Sequence, residues 1–132
     1  MLSSDRNTKS RSASRRVLPV KAATVIHAGA LVVNDAGTAA PGRTALNLVG
    51  LGRAAYGVDN SSGAAGAKSV EIEAGTFLYS NSVTDAVTAA LIGKQVYIVD
   101  DETVAATADD NKRSVAGICF DVDDEGVWVT FS

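Results

Sequence analysis

The chain has 132 residues, of which 46% are hydrophobic and 20% charged, a mixture typical of one globular domain. This composition excludes a mainly disordered chain, a coiled coil and a collagen-like repeat. Its net charge of −3 is unevenly divided. Residues 1–21 carry six basic side chains against one acidic, whereas the other 111 residues carry six basic against fourteen acidic.

Residues 1–16 predict an extended basic arm, followed by a body over residues 17–132. After Leu2 no large apolar side chain occurs until Val17, so this segment cannot bury enough surface to offset the entropy of ordering it. Fully extended, the arm would reach roughly 50 Å at about 3.3 Å per residue.

The charge of the arm suggests a partner. It is interpreted either as a segment that lies on an acidic protein surface or on nucleic acid, or as a solvated tail. Nucleic acid is the weaker choice, because the arm has no aromatic side chains for base stacking and phosphates would repel the acidic body. The basic side chains predicted to bind the partner are Arg6, Lys9, Arg11, Arg15 and Arg16.

Short apolar runs, separated by Gly, Asn, Asp and Ser, predict strands along the body. Their close spacing predicts about eight short strands in a small all-β barrel or sandwich. In the last run Val127, Val129 and Phe131 share one face, and Trp128 and Thr130 share the other. The runs cover residues 17–26, 30–33, 45–51, 53–58, 69–73, 76–79, 95–100, 103–107, 114–122 and 127–131.

The one helical candidate covers residues 84–92. Thr84 or Ser82 could cap its start, Asp85 suits the first turn, and Gly93 followed by Lys94 suits its end. The sequence therefore predicts one short helix among the strands.

The chemically capable side chains do not form a catalytic pattern. His27 is the single histidine, with no G-x-S-x-G elbow elsewhere, so it is interpreted as a strand-end or interface residue. The acidic clusters 100–102 and 121–125 could hold Ca²⁺ or Mg²⁺, but neither fits the calcium-loop pattern, which favours solvated turns. We therefore expect no enzyme, no metal and no cofactor.

Cysteine usage and hydropathy bear on the protein's surroundings. The single cysteine, Cys119, excludes an intramolecular disulfide and is expected to be a buried, inert thiol. No run of 18 apolar residues predicts a membrane span, and the N-terminal stretch is too polar for a secretory signal. The sequence favours a soluble intracellular protein, or part of an assembly made inside the cell.

Four stretches together resemble a known family. Their order and spacing are similar to those of the small capsid cement, or decoration, proteins of tailed bacteriophages, over roughly residues 20–132. The stretches are VGLGRAAYGVDNSSGAAG at 49–66, VEIEAGTF at 70–77, IGKQVYIVDDETV at 92–104, and the ending from SVAGI at 114–118 to DEGVWV at 124–129.

The resemblance implies a β-rich minor capsid protein on the outer surface of an icosahedral head, assembled in the cytoplasm of a bacterial host. Such proteins usually form trimers at three-fold and quasi-three-fold positions, where they clamp neighbouring subunits of the major capsid protein. They have no catalytic residues to transfer to this chain. The basic arm lies outside the resemblance, so its role is inferred from charge alone.

Two other functions stay open at this point. A carbohydrate- or host-binding β-module, displayed as a head fibre or attachment domain, would need exposed aromatic side chains. The candidates for it are Trp128, Tyr56, Tyr79 and Tyr97. A hydrolase is disfavoured by the missing catalytic constellation.

Overall fold

The structure, a computed structural model, describes residues 1–132 and is built almost wholly from β-strands. The predicted all-β class with a small barrel is confirmed, although the chain forms twelve strands rather than about eight. In chain order the strands are β1 (Arg15–Pro19), β2 (Thr24–Ile26), β3 (Leu31–Asp35), β4 (Thr38–Pro41), β5 (Val49–Ala54), β6 (Val58–Asn60), β7 (Ser69–Glu73), β8 (Gly75–Asn81), β9 (Gln95–Ile98), β10 (Thr103–Ala105), β11 (Val115–Asp123) and β12 (Gly126–Phe131).

One half of the protein is a five-stranded antiparallel sheet in the order β1-β7-β5-β3-β4, with β2 and β6 paired beside it. On β7, Val70 and Ile72 point inward while Glu71 and Glu73 point outward, as the alternation of the sequence predicts. The buried side chains of this half form the sheet core, which consists of Val20, Ile26, Ala30, Val32, Ala39, Leu51, Ala54, Val58, Val70 and Ile72.

The other half is a closed barrel in the order β10-β8-β12-β11-β9, with β9 pairing back to β10. The predicted faces of β12 are confirmed, since Val127, Val129 and Phe131 are buried inside. The barrel core consists of Leu31, Val33, Ala40, Leu48, Tyr79, Val87, Val96, Ile98, Val104, Ala116, Cys119, Val127, Val129 and Phe131.

Strand β3 lies between the two cores. Leu31 and Val33 pack into the barrel core, whereas Val32 packs into the sheet core. Successive side chains of a strand point to opposite faces, so a strand buried on both sides needs a continuous apolar run. The run Leu31-Val32-Val33 therefore joins the two halves into one body.

The strand predictions were wrong at several places. The predicted runs 45–51 and 53–58 give one strand, β5, which covers only Val49–Ala54, and residues 55–57 form a bend before β6. The run 17–26 is two strands, because the chain turns between them and Ala23 takes a left-handed conformation with φ of 52°. Strand β4 was not predicted, and β6 falls partly on residues that were predicted as a loop.

The predicted helix over residues 84–92 is reduced to a single 3₁₀ turn, Ala89–Leu91. Side chains hold the start of this segment in another conformation. Asn81 Oδ1 accepts from Val87 N at 2.8 Å, Asn81 Nδ2 donates to Val87 O at 2.8 Å, and Ser82 Oγ accepts from Asp85 N at 3.1 Å. These bonds compete with helical ones and seat Val87 in the barrel core. No helix of the protein has the length and apolar character needed to cross a bilayer.

Candidate interaction surfaces

Residues 1–14 extend from the body without regular structure, and every one of them is exposed. Their first hydrogen bond to the body is at the end of the segment, where Ser14 O accepts from Ala74 N at 2.9 Å. The basic side chains of Arg6, Lys9 and Arg11 take part in no ion pair within the chain. Three of the five predicted partner-binding residues are therefore available to a partner.

The other two predicted binding residues belong to β1 and join the arm to the body. Arg15 lies opposite Glu73, and its guanidinium is 3.0 Å from Glu71 Oε2 and 3.9 Å from Glu73 Oε2. Arg16 lies opposite Ile72 and is half-buried. The arm as the structure shows it thus ends at Ser14, because pairing with β7 draws the next two residues into the sheet.

Strand β1 is held by more than its own ion pairs. It forms five residue pairs with β7, and Val20 N continues the ladder by donating to Lys68 O at 2.8 Å. Arg53 also binds Glu73, at 3.5 Å, and lies 4.3 Å from the centre of the Phe77 ring. Exposed ion pairs of this kind contribute little singly, so the backbone ladder is the main attachment of the arm.

The arm gives the protein more surface than a compact chain would have. The accessible surface is 7653 Å², whereas a compact protein of 13.5 kDa exposes about 6,500 Å². The excess is about 1,100 Å², comparable with the area buried in a small specific interface. An arm that lies flat on a partner could bury much of this excess.

The acidic clusters are engaged in turns. Asp100 Oδ1 accepts from Glu102 N at 2.9 Å, and Asp123 accepts from Glu125 N and Trp128 Nε1, both at 2.8 Å. The Trp128 hydrogen bond is the main cause that lowers the pKa of Asp123. No three His, Cys, Asp or Glu side chains converge on one point as the ligands of a metal ion would.

Two aspartates form hydrogen bonds and ion pairs with distant residues that the sequence did not indicate. Asp35 Oδ2 accepts from Lys21 Nζ at 2.7 Å and from an Arg43 nitrogen at 3.0 Å, and the Lys21 bond leads in lowering its pKa. Asp85 was predicted in the first turn of a helix, but its Oδ2 joins Thr107 Oγ1 at 2.6 Å to Arg113 at 2.9 Å. Sequence spacing gives no signal for these long-range pairs.

His27 and Cys119 lie in different environments, one exposed and the other buried. His27 follows the end of β2 and is exposed beside Asp101 and Glu102, in agreement with its prediction as a strand-end residue. The predicted burial of Cys119 is confirmed, and burial is the main cause that raises the pKa of its thiol.

The four aromatic side chains considered for ligand binding differ in exposure. Tyr79 is buried in the barrel core, with its ring 6.1 Å from that of Phe131. Trp128 and Tyr97 are half-buried, and Tyr56 alone is exposed. Of these four side chains, Tyr56 is thus the most exposed, with about half of its surface accessible (49%).

Comparison with known proteins gives no family assignment. No protein-family model, no curated protein and no solved structure matches the chain. The function is therefore inferred from the surfaces described above and from the resemblance of the sequence stretches.

Proposed function

We propose that this protein is a structural component of a bacteriophage virion that binds the outer surface of an icosahedral head. It stabilises the head by bridging neighbouring subunits of the major capsid protein, as a trimer at three-fold and quasi-three-fold positions. The observation that carries the proposal is the arm, whose basic side chains Arg6, Lys9 and Arg11 extend from an acidic body without a partner in the chain.

An extended arm suits the bridging of capsid subunits, because it adds contact area to the protein without requiring a larger core. Guanidinium groups bind carboxylates with two parallel hydrogen bonds, so Arg6 and Arg11 suit an acidic capsid surface. Ordering a free segment costs several kcal/mol of the gross interaction. Trimerisation offsets this cost, because three linked arms raise the effective concentration of each at its site.

The attachment of β1 suits a segment under tension. A pull along the arm acts along β1, across the hydrogen bonds of its antiparallel ladder with β7. These bonds then share the load, and β7 passes it to β5 and the rest of the sheet. A head shell fails where neighbouring subunits separate. A protein that bridges them must therefore resist a pull along its arm.

The proposal is tested by the occupancy of the protein on purified phage heads from which it has been removed. We expect the chain lacking residues 1–14 to stay folded and to bind heads more weakly than the full chain. Arg6→Gln, Lys9→Gln and Arg11→Gln combined should also weaken binding, whereas Lys112→Gln, an exposed basic residue on the body, is the matched control.

Salt provides a second measurement on the same heads. Screening acts on exposed charges beyond about 8–10 Å, so the occupancy of the full chain should fall as salt rises, and that of the arm-deleted chain should change less. Equal occupancy of full and arm-deleted chains at physiological salt would overturn the proposal.

A further inference from the structure

A cleft of about 450 Å³ lies at the base of the arm, where the arm joins β1. It is lined by residues 11–13 of the arm and by residues 15–18 of β1. Strand β1 stands at one end of the five-stranded sheet and pairs with β7 alone, so its other edge is free. Both faces of β1 contribute residues to the cleft, which therefore lies along this free edge.

The backbone of β1 directs hydrogen-bonding groups toward the cleft. Val20 N donates to Lys68 O at 2.8 Å, in the register that pairs β1 with β7, so every second residue before Val20 also bonds to β7. The residues between them point their N–H and C=O groups to the opposite side of the strand. Arg15 and Val17 thus present N–H donors and C=O acceptors along the free edge.

Two arginines bring positive charge to the cleft. Arg16 is half-buried, on the same face of β1 as Leu18, and takes part in no ion pair within the chain. Arg11 is exposed and is also unpaired. The third arginine of the cleft, Arg15, already binds Glu71 at 3.0 Å. Because burial of a charge is costly unless the charge is paired, the free guanidinium of Arg16 favours a bound anion.

The residues of the cleft leave this charge uncompensated. Neither aspartate nor glutamate lines it, so Arg11 and Arg16 bring two positive charges to one space. Ser12 adds a hydroxyl, whose oxygen lies 2.8 Å from Ser14 Oγ. Guanidinium groups bind oxyanions through parallel N–H donors, and the edge of a sheet forms anion-binding concavities. The cleft therefore suits a doubly charged oxyanion.

The carbonyl groups of the edge narrow the choice of anion. The C=O groups of Arg15 and Val17 repel an oxyanion unless one of its oxygens carries a hydrogen that they can accept. Hydrogen phosphate is doubly charged and keeps a hydroxyl, whereas sulfate has the same charge without the hydroxyl. Hydrogen phosphate thus matches the donors, the acceptors and the charge of the cleft.

We propose that the cleft at the base of the arm binds hydrogen phosphate. Arg11 and Arg16 pair with its charge. The free N–H groups of β1 donate to its oxygens, and a carbonyl of the same edge accepts from its hydroxyl. Bound there, the anion links the arm to β1 and limits the directions in which residues 1–10 can leave the body. The inference goes beyond the proposed function and is tested on the purified chain without heads, so that each can fail without the other.

The first test is a phosphate titration of the ¹⁵N-labelled chain at pH 7.5 and constant ionic strength, followed by NMR. The backbone amide signals of Arg15 and Val17 should shift and saturate with one dissociation constant. Sulfate lacks the hydroxyl, and glycerol 3-phosphate has lost it at this pH, so each should bind about 5-fold more weakly, as expected for one neutral hydrogen bond. Sulfate or ester that binds as tightly as inorganic phosphate would overturn the assignment to hydrogen phosphate.

The second test removes the charges one at a time. Arg11→Gln and Arg16→Gln should each raise the dissociation constant about 10-fold or more, as expected for a lost hydrogen bond from a charged group. Lys112→Gln is the matched control, since Lys112 is an exposed basic residue that does not line the cleft. Arg11 is exposed, so its variant should fold like the wild type, which the dispersion of the amide signals would show.

Proteolysis provides a third measurement. Hydrogen phosphate should slow the trypsin cut after Arg11 relative to the cut after Arg6, since only Arg11 lines the cleft. Equal slowing of both cuts would contradict a link between the arm and β1.

Three other outcomes would overturn the inference. Shifts that do not saturate, or an Arg6→Gln variant that weakens binding as much as Arg16→Gln, indicate attraction by diffuse charge rather than by a site. Signals of Arg15 and Val17 that move with protein concentration and not with phosphate indicate that the free edge pairs with a strand of another copy.

Discussion

Strand β3 should make the two halves of the protein unfold as one unit. Leu31 and Val32 are both fully buried, but Leu31 packs into the barrel core and Val32 into the sheet core. Leu31→Ala leaves a cavity in the barrel core and should cost about 2–5 kcal/mol. Val32→Ala removes two methyl groups from the sheet core and should cost about 1.5–2.5 kcal/mol.

These free energies translate into shifts of the melting temperature. For a chain of 132 residues the entropy of unfolding is about 0.28 kcal/mol/K. Leu31→Ala should therefore lower Tm by about 7–18 °C, and Val32→Ala by about 5–9 °C. Val83→Ala, at an exposed position, is the matched control and should change stability by less than about 0.5 kcal/mol.

The assay is differential scanning calorimetry of the three variants and the wild type. Each should give one transition, with the whole curve displaced, because a defect in either core weakens the shared strand. Two separate transitions, with Leu31→Ala displacing one and Val32→Ala the other, would refute the reasoning that β3 couples the cores.

Three further predictions concern charge, the arm and packing. The Lys21 hydrogen bond lowers the folded pKa of Asp35 below 3.8, its value in the unfolded chain. The stability that the ionised Asp35 contributes is therefore present above pH 3.8 and is lost as pH falls through the folded pKa. The Tm of Asp35→Asn should fall less between pH 5 and pH 3 than that of the wild type. Limited trypsin digestion should cut first after the basic residues of the arm, which mass spectrometry would show, and a first cut after Arg53 in β5 would contradict the exposed arm. Gly50→Ala should lower Tm by about 4–11 °C, from about 1–3 kcal/mol of overpacking, because its Cβ would lie 2.1 Å from Ala116 O. Gly57→Ala, whose Cβ would lie 3.5 Å from the nearest atom, is the control and should leave Tm nearly unchanged.

The sequence was most informative where apolar and polar residues alternate. Strand β7 was predicted with its observed bounds, and the division of β12 into two faces was predicted correctly, because a half-buried strand imposes a period of two. Alternation fails at β4, where Thr38–Pro41 offers two small alanines that become buried only through pairing with β3.

Tertiary contacts decided the other differences. Asn60 has the composition of a loop, yet it is buried in β6 and its Nδ2 donates to Lys21 O and Ala64 O, both at 3.1 Å. The bulge that exposes Phe120 depends on the register between β11 and β12, which no local pattern sets. In the arm, charge predicted five partner-binding side chains, but Arg15 forms an ion pair with Glu71, and the pairing of β1 with β7 ends the arm at Ser14.

The central claim is that this protein bridges capsid subunits and that its arm lies on them. Electron cryo-microscopy of phage heads carrying the protein tests both parts at once. The account predicts a trimer above each three-fold and quasi-three-fold junction, with residues 1–14 of each copy following the surface of a neighbouring capsid subunit. Density located away from these junctions, or an arm that touches no capsid subunit, would contradict it.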